Sequence, residues 1–197
     1  MHDESTFRIV LGLGLVVGVP IAVRHRLRAR TGERLDRRQE GLALAISLRL
    51  LGAAHMLCLL GYLARPGWVA WATVPLPVAL RWTGAGLGPA AICLVAWALH
   101  HLGANLTDTV VTRGRHTLVT TGPYRWIRHP FYFAFALVVL ANSLLAANVF
   151  LFVTGAAAFA LIVRRTRREE ANLLARFGED YRRYVDRTGR FLPLLVL

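Results

Sequence analysis

The stretch from Phe131 to Val163 contains no charged side chain, and this constrains the fold more than any other feature of the chain. As one α-helix it would be ~50 Å long, far more than the ~30 Å hydrocarbon core of a bilayer. Two antiparallel helices fit that thickness, and the polar residues between Asn142 and Asn148 suit the turn. The sequence therefore predicts a membrane-spanning helical hairpin here.

Charge elsewhere is concentrated beside apolar runs. The 197 residues are 55% hydrophobic yet carry a formal net charge of +13, and the segment 24–40 is rich in arginine. Arginines that flank apolar runs favour positive-inside topology and contact with anionic headgroups over nucleic-acid binding. Because the sequence contains no lysine, Schiff-base chemistry and a phosphate-binding lysine are excluded.

The apolar runs together predict an all-α fold, a polytopic membrane helix bundle with about five transmembrane helices. The predicted spans are 7–23, 41–64, 84–102 and the two helices of the hairpin 131–163. The segment 68–80 is shorter and contains Pro75 and Pro77, so we predict an interfacial or re-entrant piece. The tail carries Leu173, Phe177, Tyr181 and Tyr184 at helical spacing, which indicates an amphipathic cytoplasmic helix that lies on the membrane or caps the spans.

Five spans predict an orientation with the N-terminus outside and the arginine-rich segments in the cytoplasm, in a bacterial inner membrane. Asp3 and Glu4 precede the first run where a signal peptide carries basic residues, so we predict a retained anchor. We predict two regions. Residues 1–102 form three spans with a cytoplasmic loop at 24–40; residues 103–197 form a catalytic region with a loop at 103–130, the hairpin and a tail at 164–197.

The cysteines and histidines do not form a metal site by their spacing. Cys58 and Cys93 both lie in apolar runs, and the seven histidines are scattered, whereas histidine-box enzymes need many at helical spacing. Arg49 and His55 lie inside the second span, where a polar side chain is either functional or, for His55, bonded to another helix. Asn105 and Asp108 follow the third span and are candidates to approach a bound cofactor.

Two polar clusters remain as candidate sites. The segment 116–132 combines Gly and Pro turns with histidine, tyrosine and arginine, and it fits either a cofactor site at the cytoplasmic mouth or a loop anchored at headgroups. In the cluster 164–170, Arg165 and Glu169 share one helical face. An arginine held by a carboxylate there either receives an anionic group or belongs to ordinary positive-inside charge.

The motifs in these clusters resemble the isoprenylcysteine carboxyl methyltransferase family. The first motif reads Leu118-Val119-x-x-Gly122-Pro123-Tyr124-x-x-x-Arg128-His129-Pro130-x-Tyr132. After the hairpin come Arg165-x-x-x-Glu169-Glu170-x-x-Leu173-x-x-x-Phe177-Gly178-x-x-Tyr181-x-x-Tyr184 and Arg190-Phe191-x-Pro193. The resemblance covers roughly 97–193, and we identify no family signature before about residue 88.

The resemblance implies an integral-membrane enzyme that uses S-adenosylmethionine, related to phospholipid N-methyltransferases. It implies a cofactor pocket lined by His116, Leu118, Val119, Gly122, Pro123, Tyr124, Arg128, His129, Tyr132 and Glu170. It further implies that Arg165 binds the anionic group of the methyl acceptor and that Glu169 orients Arg165. The implied partners are the lipid bilayer and a lipophilic or prenylated acceptor, without nucleic acid or metal.

Three alternatives stay open at this point. A phospholipid amine acceptor would need a base, for which Glu169 or His129 is the candidate, whereas a carboxylate acceptor is already ionised. Membrane sterol reductases that use NADPH share the general form of an Arg-His-x-x-Tyr motif. A non-catalytic lipid-binding or scaffold protein is the third alternative.

Overall fold

A computed structural model describes residues 2–29, 41–105 and 117–194 of the chain. Its α-helices are α1 (His2–Arg28), α2 (Leu42–Ala64), α3 (Val78–Leu102), α4 (Pro130–Ala146), α5 (Val149–Phe177) and α6 (Glu179–Arg187). Four of them, α1, α2, α3 and α5, are long and apolar enough to cross a membrane, and α4 is a shorter apolar helix of 17 residues. Helices of this length and composition indicate an integral membrane protein, and they confirm the predicted polytopic helical fold.

The hairpin predicted within 131–163 is formed by α4 and α5. The turn between them lies at Ala147, which has a left-handed φ of 46°, and at Asn148. The Asn148 side chain accepts a hydrogen bond from the Leu151 backbone N–H at 3.1 Å and donates to the Val69 carbonyl at 3.3 Å. A buried asparagine therefore caps α5 and ties the turn to the segment before α3.

The segment 66–77 connects α2 to α3 along the surface of the bundle. It begins as a short 3₁₀ helix, Pro66–Ala72, and its Trp68 and Trp71 rings are exposed. The Val74 backbone N–H then donates to the Ala147 carbonyl at 2.8 Å. This agrees with the predicted non-spanning piece, except that α3 begins at Val78, six residues before the predicted start.

An ion-pair network around Arg81 explains the early start of α3. The Arg81 guanidinium bonds the Glu4 carboxylate of α1 at 2.7 Å, the Tyr62 hydroxyl of α2 at 3.1 Å and the Leu145 carbonyl of α4 at 3.0 Å. The predicted span, 84–102, begins after Arg81, and an unpaired arginine is costly inside a bilayer. Here the charge is neutralised by Glu4, so the first turn of α3 packs into the bundle.

Glycines allow the hairpin to approach its neighbours closely. A Cβ on Gly84 of α3 would lie 2.9 Å from the Ala141 carbonyl oxygen of α4. A Cβ on Gly155 of α5 would overlap the Val139 side chain of α4. Small residues at such crossings are typical of helix packing in membranes.

Two polar residues inside α2, His55 and Arg49, lie on different sides of the helix. His55 Nδ1 and Thr154 Oγ1 of α5 are 3.1 Å apart, so this histidine forms a hydrogen bond between two helices. This is the structural alternative that the sequence left open. The Arg49 side chain is exposed on the outer surface of α2.

The basic end of the bundle carries the tail. α5 continues beyond its apolar part through Arg164 and Arg165 to Phe177, where Gly178, with φ of 52°, ends it. α6 then turns back, and the Thr188–Arg190 segment lies beside Trp126–His129. The tail thereby covers the same end of the bundle at which α4 begins.

Candidate cofactor and acceptor site

A buried cluster of charges surrounds Glu170 near the end of α5. Its Oε1 lies 3.1 Å from Arg128 Nε, 3.2 Å from His129 Nε2 and 3.1 Å from Arg190 Nε, and its Oε2 pairs with Arg190 Nη2. The side chains of Arg128, His129 and Glu170 are 11%, 4% and 13% exposed. One carboxylate thus binds two arginines and a histidine from two other parts of the chain, and we call this set the Glu170 cluster.

Backbone pairing between two segments positions the Glu170 cluster. The Arg128 N–H donates to the Gly189 carbonyl at 2.8 Å, and the His129 N–H donates to the Arg190 carbonyl at 3.0 Å. The Gly189 N–H donates in turn to the Trp126 carbonyl at 3.0 Å. The Arg128 guanidinium also donates to the Val185 carbonyl at 3.1 Å and to that of Thr188. The C-terminal segment is therefore part of the site.

A second pair lies beside this cluster. The Tyr132 hydroxyl donates to Glu169 Oε2 at 3.1 Å, and the Tyr132 ring stacks on His129 with 5.5 Å between centroids. Arg165 precedes Glu169 by one helical turn and lies within electrostatic range of Tyr132. The adjacent carboxylates of α5 thus have separate partners, Tyr132 for Glu169 and the basic residues for Glu170.

Three tyrosines form the wall between this region and α6. Tyr124 is 6% exposed, and its carbonyl accepts a hydrogen bond from the Tyr184 hydroxyl at 2.7 Å. Tyr181 is 3% exposed, and within the described residues its buried hydroxyl has no hydrogen-bond partner. Burial raises the pKa of all three hydroxyls, so they are neutral at physiological pH.

His101, the penultimate residue of α3, packs against the Gly122-Pro123-Tyr124 turn. His101 Nδ1 and Thr121 Oγ1 are 3.0 Å apart, and a Cβ on Gly122 would overlap the imidazole ring. Gly122 also has φ of 60°, a conformation that side chains other than glycine rarely adopt. The turn that carries Tyr124 therefore depends on glycine for both its backbone and its packing.

Replacing Gly122 by Ala is expected to displace this turn, because overpacking costs ~1–3 kcal/mol. In the S-adenosylmethionine pocket that the motif resemblance implies, this displacement should weaken binding of S-adenosylhomocysteine, the demethylated cofactor, by about tenfold. Gly103→Ala is the matched control, since Gly103 has φ of 52° but nothing within 4 Å of its Cβ position. We expect that control to bind normally in calorimetry. Gly122→Ala/His101→Ala should recover part of the loss, and equal binding by all three variants would contradict the role of the turn.

The structure brings most of the predicted site residues to one end of the bundle. Arg128, His129, Tyr132, Glu169 and Glu170 are linked by the contacts above, and Pro123 and Tyr124 are buried nearby. Leu118 lines a nearby cleft, and Val119 is half-buried. His116 and Asp108 lie outside the described residues. Asn105 bonds Thr117 Oγ1 and the Thr117 N–H, at 3.0 and 3.1 Å.

Three residues of this region have a role that their sequence context does not indicate. Arg190 was part of a quoted motif but had no assigned role, although it pairs with Glu170 in the structure. From sequence alone, His101 is one of seven scattered histidines weighed as metal ligands, and Tyr184 is one member of an apolar helical face. In the described parts of the chain no group of three or more His, Cys, Asp or Glu side chains could hold a metal ion.

The sequence pattern of the isoprenylcysteine carboxyl methyltransferase family matches residues 86–175. The resemblance to this family is therefore confirmed for that region. The human protein named protein-S-isoprenylcysteine O-methyltransferase is 33% identical over 106 residues, which are 52% of this chain and 37% of the human one. The methanethiol S-methyltransferase of Mycobacterium tuberculosis is 36% identical over 70 residues, 36% of this chain and 28% of that protein. The chain thus aligns with well under half of the length of these two relatives.

A solved structure shares the fold. It is that of a eukaryotic intramembrane Ras methyltransferase of this family. The superposed part comprises 98% of this chain and 75% of the methyltransferase chain, with a TM-score of 0.56 and 19% sequence identity. The fold similarity extends over α1 and α2, which precede the region matched by the family pattern.

Proposed function

We propose that this chain is an integral-membrane methyltransferase that transfers a methyl group from S-adenosylmethionine to a lipophilic acceptor, a carboxylate of isoprenylcysteine type. The observation that carries the proposal is the pair of neighbouring groups on α5. The Glu170 cluster and the Glu169–Tyr132 pair lie side by side where the apolar spans end. A water-soluble cofactor and a membrane-embedded acceptor can meet at such a place.

The residues present fit the cofactor. Aromatic faces and a carboxylate favour a sulfonium cation, and the site offers Tyr124, His129 and Tyr132 beside Glu169. The buried Tyr181 hydroxyl supplies a further polar contact, since it lacks a hydrogen-bond partner among the described residues. S-adenosylmethionine supplies an electrophilic methyl group when bound. We propose that it is held by the set implied by the family motifs, from Leu118 to Tyr132 together with Glu170 and with His116.

The acceptor is assigned to Arg165 and Glu169. In this proposal Arg165 binds the anionic group of the acceptor, and Glu169, one turn further along α5, orients the guanidinium. A carboxylate acceptor is ionised at neutral pH and needs no general base. Catalysis then consists mainly of alignment and exclusion of water, to which the covering tail contributes by lying over the site.

The distribution of arginines supports an orientation of this site in the membrane. Arginines occupy the last turn of α1 and follow the apolar part of α5 at the same end of the bundle as the Glu170 cluster. By the positive-inside rule this end faces the cytoplasm, and the end that carries Glu4 and Arg81 faces outward. We propose that S-adenosylmethionine enters from the cytoplasm and that the acceptor enters laterally from the bilayer of a bacterial inner membrane.

Calorimetry and transfer of labelled methyl groups test the proposal together. Detergent-purified protein should bind S-adenosylhomocysteine, and His129→Ala should weaken that binding while the exposed Arg182→Gln should not. Incubation with isotopically labelled cofactor and an S-prenylated cysteine, in the presence of membrane lipids, should then yield a base-labile methyl ester of the prenylated cysteine. Absence of binding to both the cofactor and its product would overturn the proposal. An N-methylated phospholipid would replace the carboxylate acceptor by an amine, and a methyl thioether would replace it by a thiol.

A further inference from the structure

An open cleft of about 320 Å³ lies between α6 and the segment that leads to the Gly122 turn. One wall consists of Leu118, Thr120 and Arg125, and the other includes Arg183 and Arg187 of α6. Among the described residues of the proposed cofactor set, Leu118 alone lines this cleft. Tyr184 and Thr188 also line it, and they bond Tyr124 and Arg128, so the cleft adjoins the proposed cofactor site. Its arginines, in contrast, have no role in the proposed function.

The lining of the cleft is strongly positive. It contains three guanidinium groups and one carboxylate, Asp180, which forms an ion pair with Arg183. Within the described residues, neither Arg125 nor Arg187 has a carboxylate at ion-pair distance. Three arginines around a concave space of this size form a site for a compact anion, because guanidinium groups bind phosphate with two hydrogen bonds each.

The cleft also lies at the level of the membrane surface. The Arg125 guanidinium lies 4.6 Å from the centroid of the Trp126 ring, and Trp126 packs edge-on against Trp97 of α3 with 5.9 Å between centroids. These indole rings are 44% and 42% exposed. Exposed tryptophans at the end of a membrane helix are typical of the headgroup region, so Arg125 connects the cleft to that region.

We propose that this cleft binds the headgroup phosphate of an anionic phospholipid. The positive charge of the cleft matches a phosphodiester, and its volume is large enough for a headgroup. Its lining residue Arg125 lies beside the exposed Trp126, which is typical of the headgroup region. Basic pockets on the cytoplasmic side of membrane proteins hold anionic lipids in this way. The lipid is a ligand of the protein and is not the methyl acceptor, which is assigned to Arg165.

The test uses soluble short-chain lipids and matched double variants. Detergent-purified full-length protein is titrated calorimetrically with dioctanoyl phosphatidylglycerol, with dioctanoyl phosphatidylcholine and with inorganic phosphate. Arg183→Gln/Arg187→Gln removes two charges from the cleft. Arg176→Gln/Arg182→Gln removes two charges from the same region outside it, and it breaks the i,i+3 ion pair of Arg182 with Glu179 as the first variant breaks that of Arg183 with Asp180.

We expect the wild type and the control to bind phosphatidylglycerol within about twofold of one another, and the cleft variant to bind it at least about tenfold more weakly. Equal weakening in both double variants would overturn the proposal in favour of general surface charge. Phosphatidylcholine or inorganic phosphate binding as tightly as phosphatidylglycerol would overturn the assignment to an anionic lipid.

Binding of S-adenosylhomocysteine separates this inference from the proposed function. Both double variants should keep the wild-type affinity for it, which also shows that they are folded. If the cleft variant melts normally but loses that affinity, the cleft belongs to the cofactor site and the lipid proposal is overturned. The wild type and both variants could also fail to bind S-adenosylhomocysteine while phosphatidylglycerol binding follows the expected pattern. In that case the proposed function is overturned and the lipid site is supported.

Discussion

Glu170→Gln is expected to lower the stability of the protein by about 3–5 kcal/mol and to weaken binding of S-adenosylhomocysteine by at least about a hundredfold. The glutamine keeps the shape of the side chain but removes its charge. Arg128, which is 11% exposed, would then lie beside His129 and Arg190 without the carboxylate that they share. Removal of one partner from a buried ion cluster costs more than loss of a surface pair, because the remaining charges stay desolvated.

Glu179→Gln is the matched control for this prediction. Glu179 forms an ion pair with Arg182, but both side chains are exposed, at 69% and 64%. An exposed pair contributes ~0–1 kcal/mol, so thermal unfolding in detergent should detect little change. Calorimetry on both variants would check the effect on binding. A Glu170→Gln protein that melts and binds as the control does would contradict the organising role of the cluster.

Arg165→Ala is expected to lower kcat/KM for methyl transfer by at least about a hundredfold and to leave binding of S-adenosylhomocysteine within about twofold of the wild type. The expectation rests on the proposed function, in which Arg165 binds the anionic group of the acceptor. Truncation of one partner in a buried charge pair costs ~2–5 kcal/mol, and a hundredfold loss corresponds to ~2.7 kcal/mol, which lies within that range.

Arg164→Ala controls for the general charge of this segment. Arg164 is the preceding residue on α5, and its side chain is exposed. Labelled-methyl transfer should be near normal in this variant. Arg165→Lys keeps the charge but not the two-pronged hydrogen-bonding geometry, and it should recover only part of the activity. If Arg165→Ala lost cofactor affinity in parallel with transfer, the residue would belong to the cofactor site.

The pattern of apolar and charged residues is what allows much of the fold to be predicted from the sequence. A stretch without charges that is too long for one crossing must form a hairpin, and Asn148 lies in the turn that was predicted for it. The basic residues beyond Val163 likewise mark the end of the apolar part of α5. These predictions succeed because the bilayer imposes a length and an apolar composition on each span.

Arg81 shows why the boundary of α3 was wrong. An arginine near a span is read from sequence as the edge of the membrane, but Glu4 lies 77 residues away and neutralises it in the folded protein. Arg190 shows the same limit for the site. Its motif is visible in the sequence, whereas its pairing with Glu170 depends on α6 turning the chain back.

The sequence by itself determined that this chain crosses a membrane as apolar helices, that its basic residues collect at one end, and that its motifs resemble those of a methyltransferase family. Local composition and spacing are sufficient for those conclusions. Only the tertiary structure decided that Glu169 and Glu170, adjacent on one helix, have different partners, and that arginines of α6 and of the Gly122 turn enclose a common cleft. Burial and pairing decide what each charge does, and both arise from residues brought together by folding.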